Sequence, residues 1–283
     1  MPPLASLRML LLGAALCAHL PGCASDRLGP DEVLRDAGAP MDLRMKLPDL
    51  VPPVLPDLAA PDVHVVITAD NAYAFGWGDT TQVATLSGRP MTRVAGDIFN
   101  CPLGVGPEEY DIPAKDAPQS LYLYIIAWAD DATTQGVIGQ FDRGGQPIYT
   151  GQGEWEVCAT GLSYDTGAAG GGPTREIVNQ EITRCNDGSG DPARTSAGWV
   201  NTIGAVTRTA VGNLAVGEDN SSSSGDFPIV CQKDLTGKRG VDPAAHWMWY
   251  SPDGKSPFRY QGGVNPTRTF LIFRLPSHVI VIG

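Results

Sequence analysis

The spacing of prolines near the N-terminus is the feature that most limits what this chain can fold into. Seven prolines lie between Ala24 and Pro61, a stretch that also lacks aromatic residues. Proline fixes φ and has no N–H group, so this stretch cannot supply a long helix or the interior of a sheet. We therefore predict an extended tether over residues 23–62 and a folded domain over residues 63–283. At about 3.1 Å per residue, a polyproline II tether would reach about 100 Å.

The segment before the tether has the features of a secretory signal. Arg8 precedes an apolar run from Met9 to Ala18, too short to span a bilayer core of about 30 Å. The segment ends in Leu20-Pro21-Gly22-Cys23, which resembles the lipobox of bacterial lipoproteins. The resemblance implies a signal peptide over residues 1–22, a lipid on Cys23, and a place at the outer membrane or cell surface. The alternative is an ordinary cleaved signal in which Cys23 has no role.

The remaining cysteines suggest disulfides rather than a metal site. They are Cys101, Cys158, Cys185 and Cys231. An even number in an exported chain indicates two disulfides, with three possible pairings. None of the four belongs to a CxxC pair, which disfavours zinc. We expect sequential pairing, Cys101–Cys158 and Cys185–Cys231, and leave the other two pairings open.

Short strands separated by turns are predicted throughout the folded domain. The chain contains 34 glycines and 24 prolines, which favours turns over long helices. In the clearest strand, Leu121–Trp128, Tyr122 and Tyr124 alternate with aliphatic residues. One helix is predicted over Pro173–Ile182, with proline near its first turn. Further strands are expected at His64–Thr68, Thr80–Leu86, Val137–Phe141, Gly153–Cys158, Gly198–Ile203, Leu214–Val216, His246–Tyr250, Thr269–Arg274 and His278–Ile282, with a turn at Ser87–Pro90. The fold class is an all-β sandwich with minor α content.

Two stretches carry a resemblance to a known family. Ile67–Phe75 (ITADNAYAF) resembles the Asp-Asn-x-Tyr strand of galactose-binding-like jelly-roll domains, which accompany rhamnosidase-type glycoside hydrolases. Ala245–Tyr250, followed by Thr269–Arg274, is similar to the Trp-x-Trp…Phe-Arg opening of the same domains. In the family this opening precedes the Asp-Asn strand, whereas here it follows. The resemblance therefore implies a jelly roll that is circularly permuted, or one sheet completed by a C-terminal element.

Candidate ligand-binding residues combine aromatic faces with polar groups. Trp77 lies between Gly76 and Gly78, which would let a ligand approach its backbone. Indoles stack on the apolar faces of sugar rings, and carboxylates and amides bind the hydroxyl groups. The alternative for the tryptophans is a place in the core. The alternative for Asp70 and Asn71 is that the pair only stabilises a turn, and we favour this alternative for the pair. The predicted ligand-binding residues are Trp77, Asp79, Asp70, Asn71 and Trp128.

A calcium site is a further possibility at an acidic loop. Asp130 and Asp131 follow the clearest strand, and carboxylate oxygens are ligands that suit Ca²⁺. A second acidic group lies within Glu218–Asp226 (EDNSSSSGD). Neither has the spacing of an EF-hand, and a solvated acidic loop is the alternative for both. Ca²⁺ is the only cofactor that the sequence suggests.

The net charge and the missing catalytic motifs argue against several classes of function. The chain has 20 basic and 31 acidic residues, a net charge of −11, which argues against a nucleic-acid partner. It has no GxSxG, HExxH or Walker A sequence and no GxGxxG after a strand. We predict a lipid-anchored, non-catalytic cell-surface protein that binds a glycan or another surface partner. The alternatives are a carbohydrate-active hydrolase with paired carboxylates and a structural envelope or filament subunit.

Overall fold

The described part of the chain forms two antiparallel sheets packed face to face, with one α-helix on the outside. The computed structural model describes residues 60–91, 107–118, 121–129, 134–163, 172–223, 225–230, 240–259 and 269–276. The predicted β-sandwich with one helix is confirmed. The predicted signal peptide, residues 23–59 of the predicted tether and the strand predicted at His278–Ile282 lie outside the described residues.

Within the described residues, the first sheet has six strands. They are β1 (Val63–Asp70), β4 (Glu108–Ile112), β6 (Gly136–Arg143), β7 (Gln146–Tyr149), β9 (Asn213–Asp219) and β10 (His246–Ser251). Their order is β4-β1-β6-β10-β9, and β7 pairs with β6. The longest ladder joins β1 to β6, where Val63 pairs with Arg143 and Asp70 with Gly136. This ladder fixes which residues of β1 and β6 share a face.

The second sheet has five strands in the part of the chain that the structure describes. They are β2 (Ala72–Gly78), β3 (Ser87–Met91), β5 (Tyr122–Trp128), β8 (Glu156–Ser163) and β11 (Thr269–Leu275), in the order β3-β2-β5-β11-β8. The chain passes from the first sheet to the second between Asp70 and Ala72. The sandwich therefore has a Val63 end, where β1 begins and β2 ends, and an Asp70 end, where β1 ends and β2 begins.

Side-chain alternation gives the second sheet two buried faces. In β5, Leu123, Ile125 and Ala127 belong to the core between the sheets, whereas Tyr124, Ile126 and Trp128 belong to a second cluster outside. The predicted alternation of this strand is confirmed, since successive side chains point to opposite faces. The outer face needs its own cover, because its residues are as apolar as those inside.

The cover comes largely from α1 (Arg175–Asp187). The Thr174 side chain accepts a hydrogen bond from the Ile177 N–H, and Gly188 ends the helix in the left-handed conformation at φ 61°. Val178 and Ile182 pack into the outer cluster. The predicted helix is confirmed, but it begins at Arg175 instead of Pro173 and continues to Asp187. Among the described residues, no helix is long and apolar enough to cross a membrane.

Two local predictions around β3 are wrong. The stretch Thr80–Leu86 is not a strand apart from a single bridge between Val83 and Gly78, and Ser87–Pro90 belongs to β3 instead of a turn. Asp79 stabilises a turn right after β2 by accepting hydrogen bonds from the residues that follow it, so the next strand, β3, begins later than predicted. As β3 is an edge strand, a proline and a glycine with positive φ are tolerated within it.

Candidate functional site

Trp77 is a core residue rather than a ligand-binding surface. It is 1% exposed and packs edge-on against Phe75 and Phe141, with ring centroids 6.0 and 6.4 Å away. The prediction that Trp77 offers its face to a ligand is therefore wrong. Trp77 lies two residues after Phe75 and four after Tyr73 on β2, so all three side chains point to the same face, toward the other sheet. That parity was readable in the sequence.

The glycines beside Trp77 admit the protein's own chain. A Cβ atom on Gly76 would lie 1.8 Å from the Thr85 carbonyl oxygen, and one on Gly78 would lie 1.9 Å from the Gln82 carbonyl oxygen. The Ala84 N–H and the Thr85 N–H both donate to the Trp77 carbonyl, at 2.9 and 3.2 Å. The close approach predicted from these glycines exists, but its occupant is the segment 82–85.

The other five tryptophans are also buried, including the predicted Trp128. Trp249, at 4% exposed, is the most accessible of the six, and the rest are at 1%. Trp128 faces outward from the second sheet, yet a Cβ atom on Gly172 would lie only 2.7 Å from its ring, so the chain covers it there. All six indole rings are therefore too buried for a sugar ring to stack on them.

Asp79 is exposed and acts within its own turn. Its Oδ1 accepts hydrogen bonds from the Thr81 N–H at 2.7 Å, the Thr81 hydroxyl at 2.6 Å and the Gln82 N–H at 3.0 Å. These hydrogen bonds lower the pKa of Asp79, and the bond from the Thr81 hydroxyl has the largest effect. The carboxylate is thus held in the arrangement typical of an Asx-turn.

The structure brings Asp70, Asn71 and Trp128 together but places them away from Trp77 and Asp79. The Asn71 N–H donates to the Trp128 carbonyl at 3.2 Å, and the Thr134 hydroxyl donates to Asp70 Oδ2 at 2.5 Å. Both Asp70 and Asn71 are buried, at the crossing between the sheets. The favoured structural role of this pair agrees with that position, whereas Trp77 and Asp79 lie at the Val63 end.

The carboxylates proposed for calcium do not converge within the described residues. Asp130 and Asp131 lie outside them. In the second acidic loop, Asp219 accepts hydrogen bonds from Ser221, and Asp226 forms an ion pair with Arg259 at 2.7 Å. No group of three or more His, Cys, Asp or Glu side chains in the described part of the chain is placed to hold a metal ion.

Cysteine pairing differs from the sequential prediction. Cys158 on β8 and Cys185 on α1 form a disulfide, with Cα atoms 6.2 Å apart. The pairings Cys101–Cys158 and Cys185–Cys231 are therefore wrong, because the helix lies over β8 and brings its cysteine onto the sheet. Cys23, Cys101 and Cys231 lie outside the described residues.

A polar cluster around Arg274 ties the helix to the sheet. Arg274 Nε donates to Glu156 Oε2 at 2.6 Å, and Nη1 donates to Asn186 Oδ1 at 3.0 Å. Its guanidinium carbon lies 3.8 Å from the ring centroid of Trp199 and 5.4 Å from that of Tyr122. The Arg274 groups are engaged by the protein itself, so the cluster is a structural link between elements.

A shallow recess lies beside the disulfide. Glu181, Arg184 and Thr195 contribute to its lining, and its volume is about 10 Å³. That volume holds about one water molecule, far below what a sugar ring needs. Glu181 is buried there and pairs with Arg184 at 2.9 Å. The recess is too small to serve as a ligand pocket.

An apolar hairpin tip is the most unusual exposed feature. Ile203 is 94% exposed, whereas the next most exposed large apolar residue in the described part of the chain, Val206, is at 43%. Ile203 lies at the tip of the Ile203 hairpin, which we define as Trp199–Thr207. The Asn201 N–H donates to the Gly204 carbonyl at 2.8 Å, and the Ile203 N–H donates to Asn201 Oδ1 at 2.9 Å. The tip is therefore held in one conformation.

The base of the Ile203 hairpin is fixed to the rest of the protein. Val200 exchanges backbone hydrogen bonds with Val157 of β8, at 2.8 and 2.9 Å. The Leu214 N–H donates to the Asn201 carbonyl at 3.0 Å, and the Thr207 hydroxyl donates to the Cys185 carbonyl at 3.2 Å. Both sheets and the helix thus position an isoleucine in solvent.

Comparison with family models, curated proteins and solved structures finds no match to this chain. The resemblances to bacterial lipoproteins and to galactose-binding-like domains therefore stay predictions from the sequence.

Proposed function

We propose that this protein is an exported, lipid-anchored, non-catalytic binding protein that recognises a protein partner at the cell surface through the Ile203 hairpin. The observation that carries the proposal is an isoleucine 94% exposed at the tip of a hydrogen-bonded hairpin. Apolar side chains held in one conformation bind with little loss of conformational entropy, which favours recognition. A glycan partner is less favoured, since the tryptophans are buried.

Charge around the hairpin suggests the chemistry of the partner. The chain carries a net charge of −11, yet residues 192–217 contain no carboxylate and include the exposed Arg194 and Arg208. A partner with an apolar recess for Ile203 and carboxylates at its rim complements this stretch in shape and charge. Such a partner would be attracted locally although the protein as a whole is acidic.

The anchor and tether fit a partner in or near the same membrane. A lipid on Cys23 and a proline-rich spacer over residues 23–62 would display the domain at high local concentration. Display on a surface raises avidity, so each single contact needs only weak affinity. Replacing Cys23 by Ala should move the protein from the membrane fraction to the soluble fraction and abolish its labelling by a fatty acid. Labelling of the variant would contradict the anchor.

The hydrolase alternative has less support from the described residues. A catalytic acid needs a carboxyl group with a raised pKa near a second carboxylate. The pKa values of Asp79, Asp219 and Asp253 all lie below the usual value, because each carboxylate accepts hydrogen bonds from its own loop. These groups favour a charged surface over proton transfer.

The binding proposal is tested by photo-cross-linking in living cells. A benzophenone side chain would be placed at position 203 and, as a matched control, at position 229, where Ile229 is 37% exposed. We expect a discrete protein adduct from position 203 and none from position 229. Arg208→Glu should weaken the adduct strongly. Adducts of equal yield from both positions, or adducts with lipid only, would overturn the proposal.

A binding measurement complements the cross-link. Labelled full-length protein would be titrated onto cell envelopes, with and without prior protease treatment. We expect Ile203→Ser to weaken saturable binding about tenfold or more, since a central apolar side chain carries much of an interface. Ile229→Ser should leave binding unchanged. Binding that survives protease treatment would contradict a protein partner.

A further inference from the structure

The start of the Ile203 hairpin lies against β8 at the disulfide. The hydroxyl of Ser196 is 3.5 Å from Cys158 Sγ, and it accepts a hydrogen bond from the Ala159 N–H at 2.9 Å. Ser196 is fully buried, and its own N–H donates to the Ala159 carbonyl at 3.2 Å. Together with the bonds between Val157 and Val200, these contacts fix the start of the hairpin to the residues on both sides of Cys158.

The end of the hairpin lies against the other half of the disulfide, on α1. The Thr207 hydroxyl donates to the Cys185 carbonyl at 3.2 Å and accepts from the Trp199 N–H at 3.0 Å. Trp199 Nε1 donates to Asn186 Oδ1 at 2.8 Å, and its indole belongs to the outer cluster that also contains both cysteines. Both strands of the hairpin therefore depend on the last turn of α1.

The disulfide joins the two supports of the hairpin covalently. Cys158 lies on β8 and Cys185 on α1, with Cα atoms 6.2 Å apart. Without this bond, the last turn of the helix would be held by noncovalent contacts, such as the hydrogen bond from Arg274 Nη1 to Asn186 Oδ1 at 3.0 Å. An element with few buried apolar contacts opens locally at a lower free energy than the core does.

We propose that the Cys158–Cys185 disulfide is a redox switch for the Ile203 hairpin, which is held in its binding conformation only when the two cysteines are joined. In the reduced protein, α1 opens locally from β8, and the hairpin loses one of its two supports. The partner then binds more weakly, because only the fraction of molecules with an ordered hairpin is competent to bind. The switch rests on the proposed function, since binding through Ile203 is what it controls.

Export to an oxidising compartment would set the switch. Disulfides form in the bacterial periplasm and at cell surfaces, whereas cytosolic thiols stay reduced. A disulfide-bonded oxidant accepts two electrons and two protons from Cys158 and Cys185 and leaves as two thiols, while the new S–S bond forms. Both cysteines are then only 2% exposed, which shields the bond from reductants. The hairpin therefore becomes competent to bind after export and stays so.

Hydrogen exchange of the full-length protein tests the switch in the absence of a partner. The N–H groups of Asn201 and Val206 are hydrogen-bonded within the hairpin, and those of the β1–β6 ladder report on the core. In the double variant Cys158→Ala, Cys185→Ala, the hairpin amides should exchange about tenfold faster or more, while the ladder amides stay protected. Equal protection of the hairpin in variant and wild type, or loss of protection in the ladder as well, would overturn a local switch.

Reduced wild-type protein covers the case in which this variant does not fold. Wild type brought to equilibrium with dithiothreitol should show the same faster exchange of the hairpin. The matched control is the double variant Cys101→Ala, Cys231→Ala, whose cysteines lie outside the described residues. It should respond to dithiothreitol as the wild type does. If its response disappears, a different cysteine pair controls the hairpin and the proposal is overturned.

Cross-linking from position 203 separates the switch from the binding function itself. The oxidised wild type should give the protein adduct, and Cys158→Ala, Cys185→Ala should give about tenfold less. Equal yields from the two proteins would overturn the switch and leave the binding function standing. Absence of the adduct from both proteins would overturn the binding function, on which the switch depends.

Discussion

The two faces of the second sheet are both buried, but by different means. On the inner face, Phe75 contacts four other aromatic rings, with the nearest centroid, that of Tyr110, 5.0 Å away. On the outer face, α1 contributes few apolar residues and is fixed by a disulfide and by the Arg274 cluster. The apolar core holds the two sheets together by packing alone, whereas the helix, which packs few apolar residues on the outer face, is also joined to the sheet by a disulfide.

This comparison implies that the inner face contributes more to stability by packing alone. Phe270 and Phe273 lie on the same strand, both are fully buried, and they face opposite sides. We expect Phe273→Ala to lower the free energy of unfolding by about 4 kcal/mol and Phe270→Ala by about 3 kcal/mol. The outer cavity should cost less, because the outer cluster contains fewer buried apolar residues than the core between the sheets.

Urea unfolding of the two variants measures this difference under one set of conditions. Each variant serves as the control for the other, since residue type, strand and burial are matched. If Phe270→Ala costs more than Phe273→Ala, the two faces do not differ in the way that we describe.

The disulfide should be the strongest single link of the outer cover. It closes a loop with a sequence separation of 27. Loss of that cross-link should lower the free energy of unfolding by about 3.5 kcal/mol in the chain-entropy model. The measurement is urea unfolding of the double variant Cys158→Ala, Cys185→Ala, with hydrogen exchange of the α1 amides as the local readout.

Peptide mapping without reduction provides the control for the pairing itself. A peptide pair joined through Cys158 and Cys185 is expected in the wild-type protein. Recovery of Cys158 joined to Cys101 instead would contradict the structure. If the double variant protects the α1 amides as well as the wild type does, packing alone holds the helix.

The ion pair of the Arg274 cluster should have a smaller effect. Arg274 and Glu156 have side chains that are 11% and 16% exposed, so solvent screens them only in part. We expect Glu156→Gln to cost about 2 kcal/mol and a double-mutant cycle with Arg274→Met to give a coupling of about 1 kcal/mol.

An exposed ion pair serves as the reference for this cycle. Lys255 and Asp253 are 3.1 Å apart, with side chains that are 82% and 49% exposed. Lys255→Met should change the free energy of unfolding by less than about 0.5 kcal/mol. A coupling in the Arg274 pair no larger than this would show that the cation–π and helix contacts, and not the charge pair, hold the outer cover.

The smallest effect is expected from the pH dependence of stability, because the free energy of unfolding does not change near neutral pH on account of Tyr250. Burial raises the pKa of Tyr250 from 10.0 to about 12. The unfolded chain therefore loses this phenol proton at lower pH than the folded protein does. The stabilising contribution of the protonated phenol is complete below pH 10 and is lost as pH rises toward about 12.

Melting temperatures between about pH 8 and pH 12 test this prediction in wild type and Tyr250→Phe. The variant should show a shallower decline above pH 10 than the wild type. Tyr73 and Tyr124 also have raised pKa values through burial, so part of the decline should persist. Parallel curves for the two proteins would contradict the assignment to Tyr250.

Much of the sandwich was predictable because strand alternation is a local property. The run Leu121–Trp128 revealed its two faces in the sequence, and the helix followed from the proline just before it and from its apolar spacing. The strand after β2 was not predictable, since Asp79 forms a turn that residue propensities alone did not reveal. Prediction failed where a local hydrogen-bonded turn competed with strand propensity.

The candidate site was harder to predict for a different reason. Trp77 and its glycines suggested an open surface, and only the return of the segment 82–85 shows that the surface is closed. Ile203 gave no signal in the sequence, because an isoleucine in a short apolar stretch is ordinarily buried. Its exposure depends on contacts that the hairpin base makes with β8 and β9.

By itself the sequence determined the fold class and which residues of a strand share a face, because side chains alternate along any strand whatever surrounds it. The tertiary structure decided which faces are covered and that Cys158 pairs with Cys185. These outcomes depend on segments that are distant in the chain and adjacent in space. Their proximity is a property of the folded packing, which no local pattern encodes.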